Sequence, residues 1–148
     1  SNCLIKLKCL SYKKNLQNVI PLKNKPSSKK KKKYSRAYIF HNEKNEILLR
    51  KRSAKGMLAS MLEVPNDNWV LNKNKLVHDK IINKIKYKMK SKGIIEYSFS
   101  HFDLETEVFF IVVKKSNFKN HKWVKIKNMN KVGLPTVMKK IISIAINQ

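Results

Sequence analysis

The stretch IIEYSFSHFDLETEVFFIVV, residues 94–113, decides the fold. Residues 94–100 read as a strand, residues 101–106 as a turn, and residues 107–113 as the most strongly apolar strand in the chain, so the segment predicts a hairpin with a protruding tip. Phe109 and Phe110 are chain neighbours and point to opposite faces of the sheet, which puts at least one of them in the core. Working outward, residues 37–40 and 46–52 predict an earlier hairpin around the polar turn 41–45. Residues 57–64 supply apolar contacts through Leu58, Met61, Leu62 and Val64 until Pro65 stops regular structure. Residues 66–75 then read as a polar loop interrupted by Trp69. Apolar side chains at 77, 81, 82, 85 and 89 predict a helix over residues 76–90, with Gly93 beyond its end. A last strand is expected over residues 121–126. Gly133, Leu134 and Pro135 lead into a helix over 136–146 whose inner side is Val137, Met138, Ile141, Ile142 and Ala145. This order predicts an α+β domain with a mixed or antiparallel sheet and two main helices.

The chain has 148 residues, room for one ordinary domain, and sets 34 Lys and Arg against 9 Asp and Glu for a formal charge of +25. Such a field concentrates polyanions at the surface, and nucleic acid is the first partner it suggests. The basic residues are nearly all Lys, with Arg only at 36, 50 and 52, which discounts the charge as partly compositional. No apolar run approaches the roughly 18 residues of a membrane span, and no signal-peptide pattern opens the chain. A soluble intracellular protein with no membrane partner is therefore expected. A first residue of Ser rather than Met suggests that something precedes it. Residues 1–22 read as a cysteine-bearing lead and residues 23–33 as a Lys-rich linker ending in the lysines 29–33. Like charges keep that run solvated unless phosphates neutralise it. Lys30, Lys31 and Lys32 are thus candidate DNA-backbone contacts, a plain solvated linker being the alternative.

Chemistry has few candidates. Cys3 and Cys9 are two thiolates where a closed zinc or iron–sulfur centre needs four ligands, so they are free thiols, half of a site completed elsewhere, or an adventitious disulfide. The nine carboxylates form no convincing cage, the segment 77–90 offers only Asp79 among lysines, and no Gly-rich phosphate loop is present. The histidines at 41, 78, 101 and 121 lack metal-ligand spacing. Phe99, Ser100 and His101 differ in context: they place a ring, a hydroxyl and an imidazole where a strand enters a turn. That set suits reading a base edge, although Phe99 could equally fill the core while the other two shape the turn. Lys51, Arg52 and Lys55 around Gly56 make a plausible phosphate-contact set or a solvated surface.

Taken in order, Cys3 with Cys9, Lys51-Arg52 through Lys55-Gly56-Met57-Leu58-Ala59, Met61-Leu62-Glu63-Val64-Pro65, Phe99-Ser100-His101, and Trp123 before Gly133-Leu134-Pro135-Thr136 resemble the C-terminal part of the MutY-type adenine DNA glycosylases, over nearly the whole chain. The resemblance implies that residues 34–148 are a Nudix-like domain whose tip, 99–106, recognises 8-oxoguanine paired with adenine in duplex DNA for base excision repair. Ser100 would stand at the lesion, flanked by Phe99 and His101. It implies further that Cys3 and Cys9 are two of four thiolates around a [4Fe–4S] cluster of a full-length parent, the cluster being absent from this fragment alone, and that a helical catalytic domain lies N-terminal to Ser1. The fragment would then be monomeric, non-catalytic, cytoplasmic and associated with the nucleoid. Leu62, Val64 and Asn66 depart from the aromatic and glycine positions of the family's Leu-Trp-Glu-Phe-Pro-Gly pattern.

A hydroxyl suits the task the resemblance implies. Guanine presents N7 to the major groove as an acceptor; oxidation at C8 makes N7 a donor and adds a carbonyl oxygen. A Ser hydroxyl both donates and accepts, and can meet that altered edge. Two other functions stay open: a Nudix hydrolase of nucleoside diphosphate derivatives, which needs a dense Glu set that residues 66–90 lack, and a basic DNA-binding module without lesion preference.

Overall fold

Alternation of apolar and polar side chains builds the centre of the molecule. Along Phe102–Val112 the residues Phe102, Leu104, Thr106 and Val108 are buried, while Asp103, Glu105 and Glu107 are only half-buried, the period-two pattern of a strand. The computed structural model describes residues 3–20, 30–84, 88–114 and 118–146. Among these, the chain forms α1 (Leu10–Lys13), β1 (Lys31–His41), β2 (Glu46–Lys51), β3 (Leu62–Glu63), β4 (Lys90–Ser98), β5 (Phe102–Val112), β6 (His121–Lys125) and α2 (Thr136–Ile146), with single 3-10 turns between them. The strands make one six-stranded sheet in the order β3-β2-β1-β5-β4, with β6 paired to β2. β1 and β5 run parallel from Lys31 opposite Phe102 to His41 opposite Val112. Every other strand pair is antiparallel. The fold is thus α+β with a mixed sheet, as expected, and the expected C-terminal helix is α2.

Both sheet faces are covered. On one, Ala37, Ile39, Leu49, Leu104 and Val108 pack under Val137, Met138, Ile141, Ile142 and Ala145 of α2, the inner side the spacing predicts. Each fully buried aliphatic side chain contributes about 1.5–3 kcal/mol. The Pro135 carbonyl starts α2 by accepting from the N–H groups of Met138 and Lys139, and the missing N–H of proline costs nothing at that place. On the other face Tyr38, Phe40, Leu48 and Ile111 form a second cluster with Ile81 and the half-buried Trp123. Phe110 joins the first cluster and Phe109 the second. Gly93 sits at a bulge in β4 with φ +115°, a backbone conformation that suits glycine.

Three expectations are corrected. The turn expected over residues 101–106 shrinks to Phe99–His101, closed by Phe99 N–H donating to Phe102 O, because Phe102 already begins β5. The lysine run is not wholly linker: Lys31–Lys33 open β1, and Lys32 is neutralised by Glu96 and Glu105; residues 23–29 lie outside the described residues. The helix expected over 76–90 is replaced, among the described residues, by a 3-10 turn at Ile82–Lys84 and by Lys90 entering β4. Asp79 breaks the helical path there. Its carboxylate accepts from the N–H of its own near neighbour Ile81, a local bond that competes with helix, and Val77 is exposed.

Residues 66–70 lie along the N-terminal half of β1, bridging at Tyr34 with Val70 and at Ala37 with Asn66. This places Asp67 and Trp69 beside β1 and beyond the end of β2. Residues 3–20 expose Leu4, Ile5, Leu7 and Leu10. No described helix is long and apolar enough to cross a membrane.

Candidate functional site

A cleft of about 530 Å³ opens beyond β2 and β3, lined by Lys33, Lys51, Arg52, Glu63, Asn66 and Trp69 among others. Of the three arginines of the chain, Arg50 and Arg52 line it and Arg36 pairs with Asp67 of its lining. Arg50 donates from Nε to Glu63 Oε1 at 2.9 Å, from Nη1 to Asp79 Oδ2 and from Nη2 to Asn66 O at 3.0 Å. Arg52 donates to Glu63 Oε2, which also accepts from Asn66 Nδ2 at 2.7 Å. Arg36 Nε donates to Asp67 Oδ2. Glu63 and Asp67 are buried, and burying a carboxylate is costly unless it is paired and hydrogen-bonded in this way. Burial works to lower the pKa of Arg50, but the charge of Glu63 and the bond to Asp79 outweigh it and hold the guanidinium above its ordinary value.

Behind the cleft a ring of hydrogen bonds closes. The Tyr38 hydroxyl donates to Asp67 Oδ1 at 2.9 Å and lies 2.8 Å from His78 Nδ1. Tyr38 has one proton to give, so His78 Nδ1 carries the hydrogen of the second bond and its Nε2 is left to accept from Arg36 Nη1 at 3.3 Å. The same Arg36 returns to Asp67. Burial, and then the charge and hydrogen bond of Asp67, raise the Tyr38 phenol far above its ordinary pKa.

The tip is the second component. Ser100 and His101 are exposed at the turn, and Phe99 is half-buried. The Phe99 ring packs 4.8 Å from both Tyr97 and Phe102 and 5.4 Å from Trp69. Phe99 is therefore the anchor of the turn more than a wedge standing out from it. Trp69 also lies edge-on to Phe102 at 5.8 Å and carries the Arg52 guanidinium 4.9 Å from its ring centre. One aromatic cluster thus forms both the floor of the tip and a wall of the cleft.

The lysines expected on phosphates differ in their surroundings. Lys31, Lys51 and Lys55 are exposed. Lys32 bridges Glu96 and Glu105, and these bonds hold its ammonium above its ordinary pKa. Lys30 donates to Ser98 Oγ and Phe99 O, both at 2.9 Å. Arg52 is half-buried and committed to Glu63. Cys3 is exposed, Cys9 half-buried, and both are free thiols.

Sequence reasoning missed the roles of Tyr38, Glu63, Asp67 and His78. The available signal was the placement of arginine in a lysine-rich chain, since guanidinium, not ammonium, matches carboxylate geometry in two-pronged buried pairs.

A sequence model of the NUDIX domain matches residues 36–143. Among solved structures, the chain is similar to the MutT protein from Methanosarcina mazei Go1, at 18% identity and TM-score 0.63, over 79% of this chain and 94% of that one. It is similar to the C-terminal domain of mouse MUTYH in its complex with human PCNA, at 15% identity and TM-score 0.62, over 76% and 86%. It is also similar to the NUDIX domain of Shewanella oneidensis NrtR complexed with ADP ribose, at 10% identity and TM-score 0.59, over 83% and 92%. Likenesses at these identities show the fold. No curated protein matches the sequence.

These findings correct the finer part of the resemblance. The iron–sulfur, MutY and glycosidase assignments are not upheld. Among the described residues no group of three or more His, Cys, Asp or Glu could hold a metal. The family match is to the NUDIX domain, and the likenesses include MutT and Nudix hydrolase structures beside a MUTYH domain. What stands is the sheet order, α2 across one face, and a domain match running from Arg36 in β1 to Ser143 in α2, and on these the chain belongs to the Nudix family.

Proposed function

We propose that this Nudix-family domain binds duplex DNA, distinguishes 8-oxoguanine opposite adenine from guanine at that position, and carries out no hydrolysis itself. The exposed Ser100 and His101 on a turn anchored by Phe99 carry this reading. Ser100 is exposed above a half-buried aromatic floor, so its hydroxyl can approach a base edge without the turn having to unfold. In the lesion the hydroxyl accepts from N7–H or donates to the C8 oxygen. In guanine both bonds are lost, because N7 carries no hydrogen and C8 no oxygen, and the hydroxyl is left only to donate to N7. Exposed lysines, Lys51 and Lys55 among them, hold the phosphate backbone and set position without reading sequence.

The absence of hydrolysis rests on the cleft. Glu63, Asp67 and Asp79 each already hold a guanidinium, and a Mg²⁺ ion would have to displace an arginine to gain those oxygens.

A second reading, hydrolysis of a nucleoside diphosphate derivative, has more weight from the comparisons, because MutT-type structures and an ADP-ribose-bound domain share the fold. Two assays separate the readings. Release of phosphate or nucleotide from nucleoside diphosphate derivatives with Mg²⁺ makes the hydrolase reading the correct one. No turnover, with tighter binding to an 8-oxoguanine:adenine duplex than to guanine:adenine, supports the proposal. Equal affinity for the two duplexes leaves a basic module without lesion preference.

A further inference from the structure

We propose that Lys30 is a positioning residue for the tip, not a phosphate contact. This rests on the reading of Ser100 given above. β1 runs parallel to β5 with Lys31 opposite Phe102, so Lys30, one residue earlier, comes alongside the turn. Its ammonium donates to the Phe99 carbonyl and to Ser98 Oγ, and Ser98 Oγ in turn donates to Asp103 Oδ1 at 2.6 Å. A cation, a hydroxyl and a carboxylate thus link the residue before β1, the end of β4 and the start of β5 across the base of the turn.

Asp103 makes the point from the other side. It is one of only nine acidic residues in a chain of charge +25, and it stands at the base of a tip proposed to meet DNA. A lone carboxylate there repels phosphate; joined through Ser98 to Lys30, it braces the turn. An exposed pair of charges contributes little by itself. Here the ammonium bonds a backbone carbonyl of the turn directly, while the Phe99 ring is packed below, so the turn is held from both sides. Positioning, not strength of binding, is what such a brace supplies.

The test compares wild type with Lys30→Met, Lys30→Arg and Ser100→Ala. Amide hydrogen exchange across residues 99–102 reports the brace, and competition between 8-oxoguanine:adenine and guanine:adenine duplexes reports the reading. With Lys30→Met, exchange at the turn accelerates and the preference for the lesion falls about three- to tenfold, the scale of one ordinary hydrogen bond. Binding of the undamaged duplex keeps its salt dependence. Lys30→Arg restores part of the preference. A phosphate contact behaves otherwise: Lys30→Met would weaken both duplexes equally and reduce the salt slope by about one, which overturns the proposal. Unchanged exchange and preference in Lys30→Met also overturn it. Should wild type show no preference, with exchange still faster in Lys30→Met, the reading of Ser100 fails while the brace remains as structure, and the positioning role falls with the reading.

Discussion

Lys32 Nζ lies 2.7 Å from Glu96 Oε1 and 2.7 Å from Glu105 Oε2, joining two carboxylates that face each other across β4 and β5. Like charges directly opposite in a sheet destabilise it. The lysine run of β1, with Lys73 at 2.6 Å from Glu105 Oε1, reverses that sign.

A pH dependence follows. The hydrogen bonds from Lys32 and then Lys73 hold Glu105 below the ordinary carboxylate value. A lowered folded pKa means that the stability Glu105 contributes is full above the unfolded value, about 4.3, and is lost as pH falls through the lowered one. Glu105→Gln should therefore lower the urea midpoint at pH 7 and change it much less at pH 3. An equal change at both would show that the ion pairs contribute nothing.

Arg50 holds Glu63, Asp79 and the Asn66 carbonyl together. Arg50→Met leaves Asp79 without its guanidinium and Glu63 with Arg52 alone, and should destabilise the domain by about 3 kcal/mol. Adding Glu63→Gln should recover part of that loss, a coupling that a double-mutant cycle in urea measures. Strict additivity would contradict the pairing.

Tyr38→Phe removes the hydroxyl between Asp67 and His78. Asp67 Oδ1 keeps the Asp79 N–H, but the His78 Nδ1–H loses its acceptor, which should cost about 1–3 kcal/mol. Urea unfolding is the measurement, and a neutral change would mean that the ring of bonds does not hold the cleft.

Ile141 is buried on the inner side of α2, and Ile141→Ala should cost about 2–5 kcal/mol in the same assay. A loss under 1 kcal/mol would place that helix face outside the core.

Elements stabilised by their own pattern were legible in the sequence. The spacing of Val137, Met138, Ile141, Ile142 and Ala145 named the buried side of α2 in full. The two misread segments on the sheet are partners of each other: Lys31–Lys33 looked too charged to order and residues 102–106 too polar for a strand, yet they pair in register. Their complementarity joins residues some seventy positions apart, beyond any local window. At 76–90 a helical spacing was present, but Asp79 is bound by Arg50 and Ile81 instead. The tip was legible as a turn, though the inward packing of Phe99 depends on Trp69 from a distant loop. The cleft was not legible, because an arginine reveals its purpose only when its carboxylate is found.

The most direct measurement is the ratio of affinities for 8-oxoguanine:adenine and guanine:adenine duplexes at a single salt concentration, for wild type and for Ser100→Ala. The account predicts a wild-type preference for the lesion that falls about tenfold in the variant, within the roughly 1–3 kcal/mol of a good base-edge contact, with undamaged binding retained. Equal affinities in wild type, or an equal loss on both duplexes in Ser100→Ala, would contradict it.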